Sequence, residues 1–285
     1  MTGLQKFIKY AAIIFGIYLS IVIIVAFLGI VRGLVNGSQT EIRNMVGNIE
    51  KYHPENITKE YNNIKRLEVD LEVTELIIRN GDSFKVEGTN IPNKMEIKQN
   101  GDTLKISDEN LPSYFSDKNI IITIYIPEEQ QLDNIDLDIK YVSVDIEKLN
   151  ATTITLDMYN NYCKIDKLIG NNMELNSQYA NIDIYDSEVK RLDLDSESGT
   201  QNINVKVVEN AKIDLDYADT DIKFIGKQEA YQIISQKRFG TTYIDEKEIT
   251  SNMETVGSGS VKINLDTISA NTNITFAEES NENYL

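Results

Sequence analysis

Residues 135–146 read IDLDIKYVSVDI, residues 154–165 read ITLDMYNNYCKI, and residues 173–184 read MELNSQYANIDI. Each stretch holds two apolar-x-apolar pairs with polar residues between them, and the pattern returns every 19 positions. Alternating apolar residues point to one face of a β-strand. A unit this short cannot bury its apolar face alone, so the constant period predicts stacked units that share a continuous core.

The repeat runs through the second half of the chain. The first pair recurs as Ile135/Leu137, Ile154/Leu156, Met173/Leu175, Leu192/Leu194 and Ile213/Leu215. The second pair recurs as Val144/Ile146, Cys163/Ile165, Ile182/Ile184, Ile203/Val205 and Ile222/Phe224. Ile203 and Ile213 each lie two residues later than a 19-residue period would place them, which predicts a two-residue insertion near Ser198-Gly199.

The constant offsets favour stacked coils over two antiparallel strands per unit, because stacking places each strand on its counterpart in the next coil. The sequence therefore predicts an all-β protein, a single-stranded right-handed β-solenoid (β-helix) with coils of about 19–21 residues. We expect this solenoid domain at residues 64–276, with an irregular capping part at 64–127 and regular coils at 128–276.

The two ends of the expected domain are less regular. Asn80-Gly81-Asp82 and Asn100-Gly101-Asp102 separate alternating runs and are typical of hairpin turns, which predicts a capping meander. Downstream, Ile233 with Tyr243 and the run from Val261 to Phe276 predict two further coils. Residues 277–285 are polar and acidic, as expected of a tail.

An uncharged stretch near the N-terminus predicts a transmembrane helix. Tyr10–Val31 holds 22 residues without a charge, long enough to cross a lipid bilayer as a helix. A cleaved signal peptide is the competing interpretation, but the apolar run is long for one and no small-x-small site follows. We expect an uncleaved signal anchor, followed by a juxtamembrane stalk at residues 32–63.

The charges around this helix predict its orientation. Residues 1–9 carry Lys6 and Lys9 without an acid, which indicates a cytoplasmic N-terminus and places the C-terminal domain outside the cytoplasm, on a single-pass protein of the cell membrane. The chain has a net charge of −17, which argues against nucleic-acid binding.

Few residues suggest catalysis. Cys163 lies in an apolar column and is expected to pack as a small hydrophobe, because the one histidine, His53, falls outside the repeat. Carboxylate pairs of the Asp136/Asp138 type recur in every unit, whereas the catalytic pair of a glycoside hydrolase should be singular. We expect no enzymatic activity, no catalytic or cofactor-binding residues, no metal site and no cofactor; a polysaccharide-acting β-helix enzyme is a further alternative.

Two surface features leave alternatives open. Outward positions stack into two columns, Asp138/Asp157/Asn176/Asp195/Asp216 and Asp136/Thr155/Glu174/Asp193/Asp214. They form either a solvated acidic face or a cation-binding face, since carboxylates suit Ca²⁺. Tyrosines lie at or near the turns, at Tyr141, Tyr159, Tyr162, Tyr179 and Tyr217. They either shield the coil corners or present an aromatic line that holds carbohydrate or a partner protein.

Alternating isoleucines run from Ile120 to Ile126 and end at Pro127, and I/L-x-L and I-x-I units of about 20 residues follow. With one membrane segment in front, this succession resembles the bacterial putative-adhesin family of β-strand-repeat domains. The resemblance covers about Ile64 to Phe276, although the glycine-rich turns common in that family are few here. It implies a membrane-linked β-solenoid outside the cytoplasm and supplies no catalytic residues.

Together these patterns predict a membrane-anchored extracytoplasmic β-solenoid that acts as a binding, adhesin-like or scaffolding module at the bacterial cell envelope. Its expected partners are the lipid bilayer, through Tyr10–Val31, and an envelope polymer or a surface or membrane protein. The alternative is a lateral sensor or regulatory component of an envelope-stress system. The pattern leaves the oligomeric state open.

Overall fold

The structure, a computed structural model, describes residues 54–109, 111 and 119–277. These residues form one sheet that winds into stacked coils. Its first nine strands are β1 (Glu55–Glu60), β2 (Arg66–Leu71), β3 (Glu75–Gly81), β4 (Lys85–Ile91), β5 (Glu96–Asn100), β6 (Thr103–Ser107), β7 (Ile121–Pro127), β8 (Leu132–Lys140) and β9 (Ser143–Ile146). The remaining strands are β10 (Leu149–Tyr159), β11 (Tyr162–Ile165), β12 (Leu168–Ile225), β13 (Tyr231–Arg238), β14 (Thr241–Ile244), β15 (Lys247–Glu248), β16 (Met253–Gly257), β17 (Val261–Ile268) and β18 (Asn271–Ala277).

The central coils stack in parallel with a constant register. Ile154 of β10 pairs with Ile135 of β8 on one side and with Met173 of β12 on the other, in both cases 19 residues away. Cys163 of β11 pairs in the same way with Val144 and Ile182. The apolar side chains of these columns are buried, each contributing about 1.5–3 kcal/mol. The all-β prediction is confirmed, and its repeat is a parallel ladder.

The predicted two-residue insertion near Ser198-Gly199 is wrong. Ser177 Oγ donates to Ser196 Oγ at 2.9 Å, and Thr220 Oγ1 donates to Gln201 Oε1 at 2.8 Å; both pairs are 19 residues apart. The register therefore continues unbroken, and Gln201 rather than Ile203 occupies the column of Ile182. The sequence pattern misled because this column changes from apolar to polar in the middle of the stack, with its polar atoms paired inside the coil.

Chain order and spatial order differ at both ends of the stack. The coil of β2 and β3 lies between β8/β9 and the coil of β6/β7. At the other end, β17 and β18 lie between β12 and the coil of β13/β14. The C-terminal coils predicted from the sequence are thus present, in the reverse of the order that the chain suggests.

Antiparallel strands cover both ends of the parallel ladder. At one end β4 pairs with β7, β1 pairs with β4, and β5 pairs with β6; at the other β16 pairs with β13 and β15 with β14. Such strands close edges that would otherwise template pairing with another chain. The first covering strand, β1, lies within residues expected to form a stalk.

The two hairpin predictions have different outcomes. Asn100 pairs with Thr103 across an antiparallel turn, and Gly101 there has φ 63°, which confirms the hairpin between β5 and β6. The hairpin at Asn80-Gly81-Asp82 is wrong, because β3 and β4 pair with opposite edges of β7. The turn instead carries the chain around β7, a step that local sequence does not reveal.

Within the part of the chain that the structure describes, no helix has the length and apolar character needed to cross a membrane. The predicted helix Tyr10–Val31, residues 1–9, residues 32–53 of the stalk and residues 278–285 of the tail lie outside the described residues.

Candidate functional site

One corner of the coil has the same backbone conformation in seven consecutive coils of the described region. The residue there has a left-handed φ between 46° and 67°, and the coil positions are, in stacking order, Tyr141, Asn160, Tyr179, Ser198, Tyr217, Ser269 and Phe239. The register of the flanking strands aligns them, since β12 pairs with β17 and β17 with β13. We call these seven residues the corner column.

Aromatic and small polar residues alternate along the corner column. Tyr141, Tyr179, Tyr217 and Phe239 occupy every second coil and are 59%, 52%, 66% and 80% exposed. Asn160, Ser198 and Ser269 lie between them. Stacked coils rise about 4.8 Å each, so the backbone positions of these four residues recur at roughly 9.6 Å. We call these four residues the aromatic row.

The backbone conformation makes the aromatic row costly for folding. A side chain with a Cβ in the left-handed region costs about 1–2 kcal/mol, and asparagine or glycine tolerates it best. Asn160 shows that the same corner accepts the favoured residue. Tyr217 and Phe239 keep 66% and 80% of their surface exposed, so burial offsets little of this cost at those corners, and the aromatic residues there point to a role outside folding.

Tyr159 braces two members of the aromatic row. Its ring meets that of Tyr141 edge-to-face at 5.3 Å and 86°, and that of Tyr179 at 6.1 Å and 90°. Edge-to-face pairs at such distances are favourable, so the two exposed rings are held rather than free to rotate. Tyr162 has a different role: its hydroxyl donates to Asp183 Oδ2 at 2.8 Å, and that hydrogen bond, followed by burial, raises the pKa of Tyr162 to about 12.

A groove runs beside the aromatic row. It has a volume of about 380 Å³ and is lined by two stacked columns, Asp138/Asp157/Asn176/Asp195 and Lys140/Tyr159/Gln178/Glu197. We call the second of these the flank column. Each of its residues comes directly before a residue of the corner column in the chain, and the flank column continues to Asp216. Its polar groups contact one another, as where Gln178 Nε2 donates to Glu197 Oε2.

The unbroken register corrects the predicted acidic columns. Asp214, not Asp216, stacks in line with Asp195. Burial is the largest cause that raises the pKa of Asp195, and the charge of Asp214 is the next. Lys212, not Asp214, follows Asp193, and the two form an ion pair at 3.9 Å. A lysine thus interrupts the second column, while Asp216 moves to the flank column beside the corner.

The remaining carboxylates of this face repel one another. Burial, and then the charges of Asp157 and Glu68, raise the pKa of Asp136. Burial and the charge of Asp138 likewise raise the pKa of Asp70. Among residues 54–109, 111 and 119–277, no group of three His, Cys, Asp or Glu side chains is placed to hold a metal ion.

Cys163 is fully buried, and burial raises the pKa of its thiol to about 12. Such a thiol is a poor nucleophile and packs as part of the core. A second, larger cavity of about 590 Å³ includes no corner residue. Two of its lysines are already paired, Lys167 with Asp186 at 3.1 Å and Lys206 with Glu188 at 3.4 Å.

The tyrosines near the turns predict part of the aromatic row. They include Tyr141, Tyr179 and Tyr217, together with Tyr159 and Tyr162, but Phe239 is not among them, because the chain reaches its coil out of spatial order. A signal was present: Phe239-Gly240 resembles Ser198-Gly199. In both pairs the glycine, with a left-handed φ, lies so close to a backbone carbonyl that a Cβ would come within 2.1 Å of its oxygen.

These features define a β-repeat protein of stacked parallel coils that presents an exposed aromatic edge. The family description Toastrack DUF4097 matches residues 64–284, and the chain belongs to that family. No curated protein matches the chain.

Several solved structures are similar to this chain but share little sequence with it. A putative adhesin from Bacteroides fragilis is 16% identical, with a TM-score of 0.47, covering 78% of this chain and 97% of its own. A putative cell adhesion protein from Clostridium sporogenes is 15% identical, with a TM-score of 0.36, covering 79% and 100%. A putative lipid binding protein from Parabacteroides distasonis is 14% identical, with a TM-score of 0.42, covering 78% and 96%.

Proposed function

We propose that this protein is a membrane-anchored, extracytoplasmic, adhesin-like binding module of the bacterial cell envelope, without enzymatic activity, and that the aromatic row is its binding surface. The observation that carries the proposal is the placement of Tyr141, Tyr179, Tyr217 and Phe239 at corners where their conformation is unfavourable and their rings are exposed. Binding to a ligand gives those rings the burial that folding does not.

The anchoring part of the proposal rests on sequence. Tyr10–Val31 is uncharged and long enough to span a bilayer, and Lys6 and Lys9 precede it. An acidic domain with a continuous core and a single buried cysteine needs no disulfide for stability outside the cytoplasm.

Crosslinking and pull-down from intact cells test the proposal. The full chain is compared with a chain in which an unrelated membrane helix replaces Tyr10–Val31, and with a variant in which the four residues of the aromatic row are changed to asparagine. The matched control changes Tyr185 and Tyr243 to asparagine; these tyrosines are 38% and 39% exposed and lie outside the corner column.

The proposal predicts that the same envelope component is captured with either helix, is lost with the aromatic-row variant and is retained with the control. Capture that does not depend on the aromatic row contradicts the proposal. Capture of a membrane partner that depends only on the native helix favours instead a lateral sensor or regulator of an envelope-stress system.

A further inference from the structure

The spacing of the aromatic row carries information about its ligand. Two coils separate neighbouring rings, which is roughly 9.6 Å, and six coil steps separate Tyr141 from Phe239, roughly 29 Å. The backbone positions that carry the rings therefore recur at an even interval along the stacking axis. A ligand that contacts all of them must itself be straight and repeat at nearly the same interval.

A globular protein partner fits this surface poorly. Protein interfaces bury a contiguous apolar centre from which water is excluded. Here Asn160, Ser198 and Ser269 separate the rings, and the rings lie on one edge rather than in a patch. Tyr159 adds a ring only between Tyr141 and Tyr179. Rings set along one edge with polar residues between them instead suit a ligand that offers one apolar face and several hydroxyl groups in each repeat.

Extended β-1,4-linked polysaccharides have this character. Successive sugars are turned by about half a rotation, so the same ring face returns at every second sugar, and the length of this disaccharide repeat is close to the two-coil interval. Resting on the proposed function, we infer that the aromatic row binds an uncharged, extended β-1,4-linked polysaccharide lying parallel to the stacking axis, with one aromatic ring stacked on each disaccharide.

The charges beside the row select the kind of polymer. Glu197 and Asp216 of the flank column lie next to the corner, and the chain carries a net charge of −17. Carboxylates accept hydrogen bonds from sugar hydroxyls, and the Gln178 amide has a second N–H beside the one it donates to Glu197. The same carboxylates repel polymers that carry phosphate or carboxylate groups, which argues against an anionic polysaccharide.

The rings are also prepared for stacking. Tyr159 holds Tyr141 and Tyr179 edge-to-face on either side, so less rotational freedom is lost when a sugar binds. A row of roughly 29 Å accommodates about three disaccharides with one ring at each boundary. Affinity should therefore rise in steps of two sugars.

The test is a titration of the full-length protein in detergent with chemically defined oligosaccharides. The probes are N-acetylated β-1,4-linked glucosamine oligomers and β-1,4-linked glucose oligomers of two, four and six sugars, and the α-1,4-linked glucose hexamer is the control ligand. The chain has 15 tyrosines and no tryptophan, so tyrosine emission reports stacking directly, with calorimetry as the second readout.

At least one β-linked series is expected to bind with an affinity that increases from two to six sugars, and the α-linked hexamer is expected not to bind. Tyr179→Asn should weaken hexamer binding by about fivefold or more, the loss typical of an interface anchor. Tyr185→Asn should leave it unchanged.

Binding without dependence on Tyr179, or equal binding of the α-linked hexamer, would overturn the inference. If no oligosaccharide binds while envelope capture still depends on the aromatic row, the ligand class is wrong and the proposed function stands. If envelope capture is also independent of the row, both are wrong.

Discussion

The buried contact between Gln201 and Thr220 gives the sharpest test of the unbroken register. Gln201 is 0% exposed and Thr220 is 3% exposed, and Thr220 Oγ1 donates to Gln201 Oε1 at 2.8 Å. The amide of Gln201 also lies 3.4 Å from Ser177 Oγ, so three successive coils meet through polar side chains. Gln201→Met and Thr220→Val remove the two partners with little change in volume.

Each single substitution leaves one buried polar group without its partner, which costs about 1–3 kcal/mol. The double variant leaves neither group of this pair unsatisfied, so it should cost less than the sum of the two single variants. For a domain of this size, about 1–3 kcal/mol lowers the melting temperature by roughly 2–12 °C. The measurement is a double-mutant cycle on the purified full-length protein, followed by urea and thermal unfolding.

We expect a coupling of about 1 kcal/mol or more between the two sites. Thr267→Val is the matched control, because Thr267 is fully buried but its hydroxyl has no hydrogen-bond partner in the described structure. Additive costs at Gln201 and Thr220 would refute the contact, and with it the stacking of these two residues in adjacent coils.

Three further outcomes follow from the same structure. Gly199→Ala should destabilise the protein more than Gly101→Ala, because both glycines have a left-handed φ but only at Gly199 would a Cβ come within 2.1 Å of Ala180 O; equal urea midpoints would contradict this. Burial and neighbouring carboxylates raise the pKa of Asp136, so the folded protein holds this proton more tightly than the unfolded chain and loses stability as the pH rises through the carboxylate range. Asp136→Asn should therefore raise the urea midpoint at neutral pH and not at acid pH, where the wild-type carboxyl is also protonated; a gain that is independent of pH would argue against the explanation. Cys163, fully buried with a pKa of about 12, should resist iodoacetamide in the native protein and react after unfolding in urea, and rapid native labelling would show that the coil opens.

The sequence predicts the central coils well because their apolar residues repeat at one interval. Ile135, Ile154 and Met173 are each apolar, and the structure stacks them at that interval. The prediction failed where the core column became polar: Gln201 is hydrophilic by type, yet its amide is satisfied by residues of neighbouring coils. A pattern of apolar residues does not include such a position, so the sequence pattern assigned Ile203 to the column instead.

The ends of the stack were harder to predict for a topological reason. In space, β17 lies between β12 and β13, although β13 comes before β17 in the chain. The coil of Phe239 therefore comes earlier in the sequence than the coil that lies between it and the coil of Tyr217. Periodicity along the chain cannot show this exchange of order. The tyrosines of the regular coils were therefore recognisable as a series, whereas the fourth ring became visible only in three dimensions.

The measurement that tests the central claim most directly combines stability and binding in the same four variants. Tyr141, Tyr179, Tyr217 and Phe239 are each changed to asparagine, a residue that tolerates the left-handed conformation. We expect the urea midpoints to stay the same or rise while retention of the full-length protein on isolated cell envelopes falls. Unchanged retention, or a loss of binding that simply follows a loss of stability, would contradict a binding role for the aromatic row.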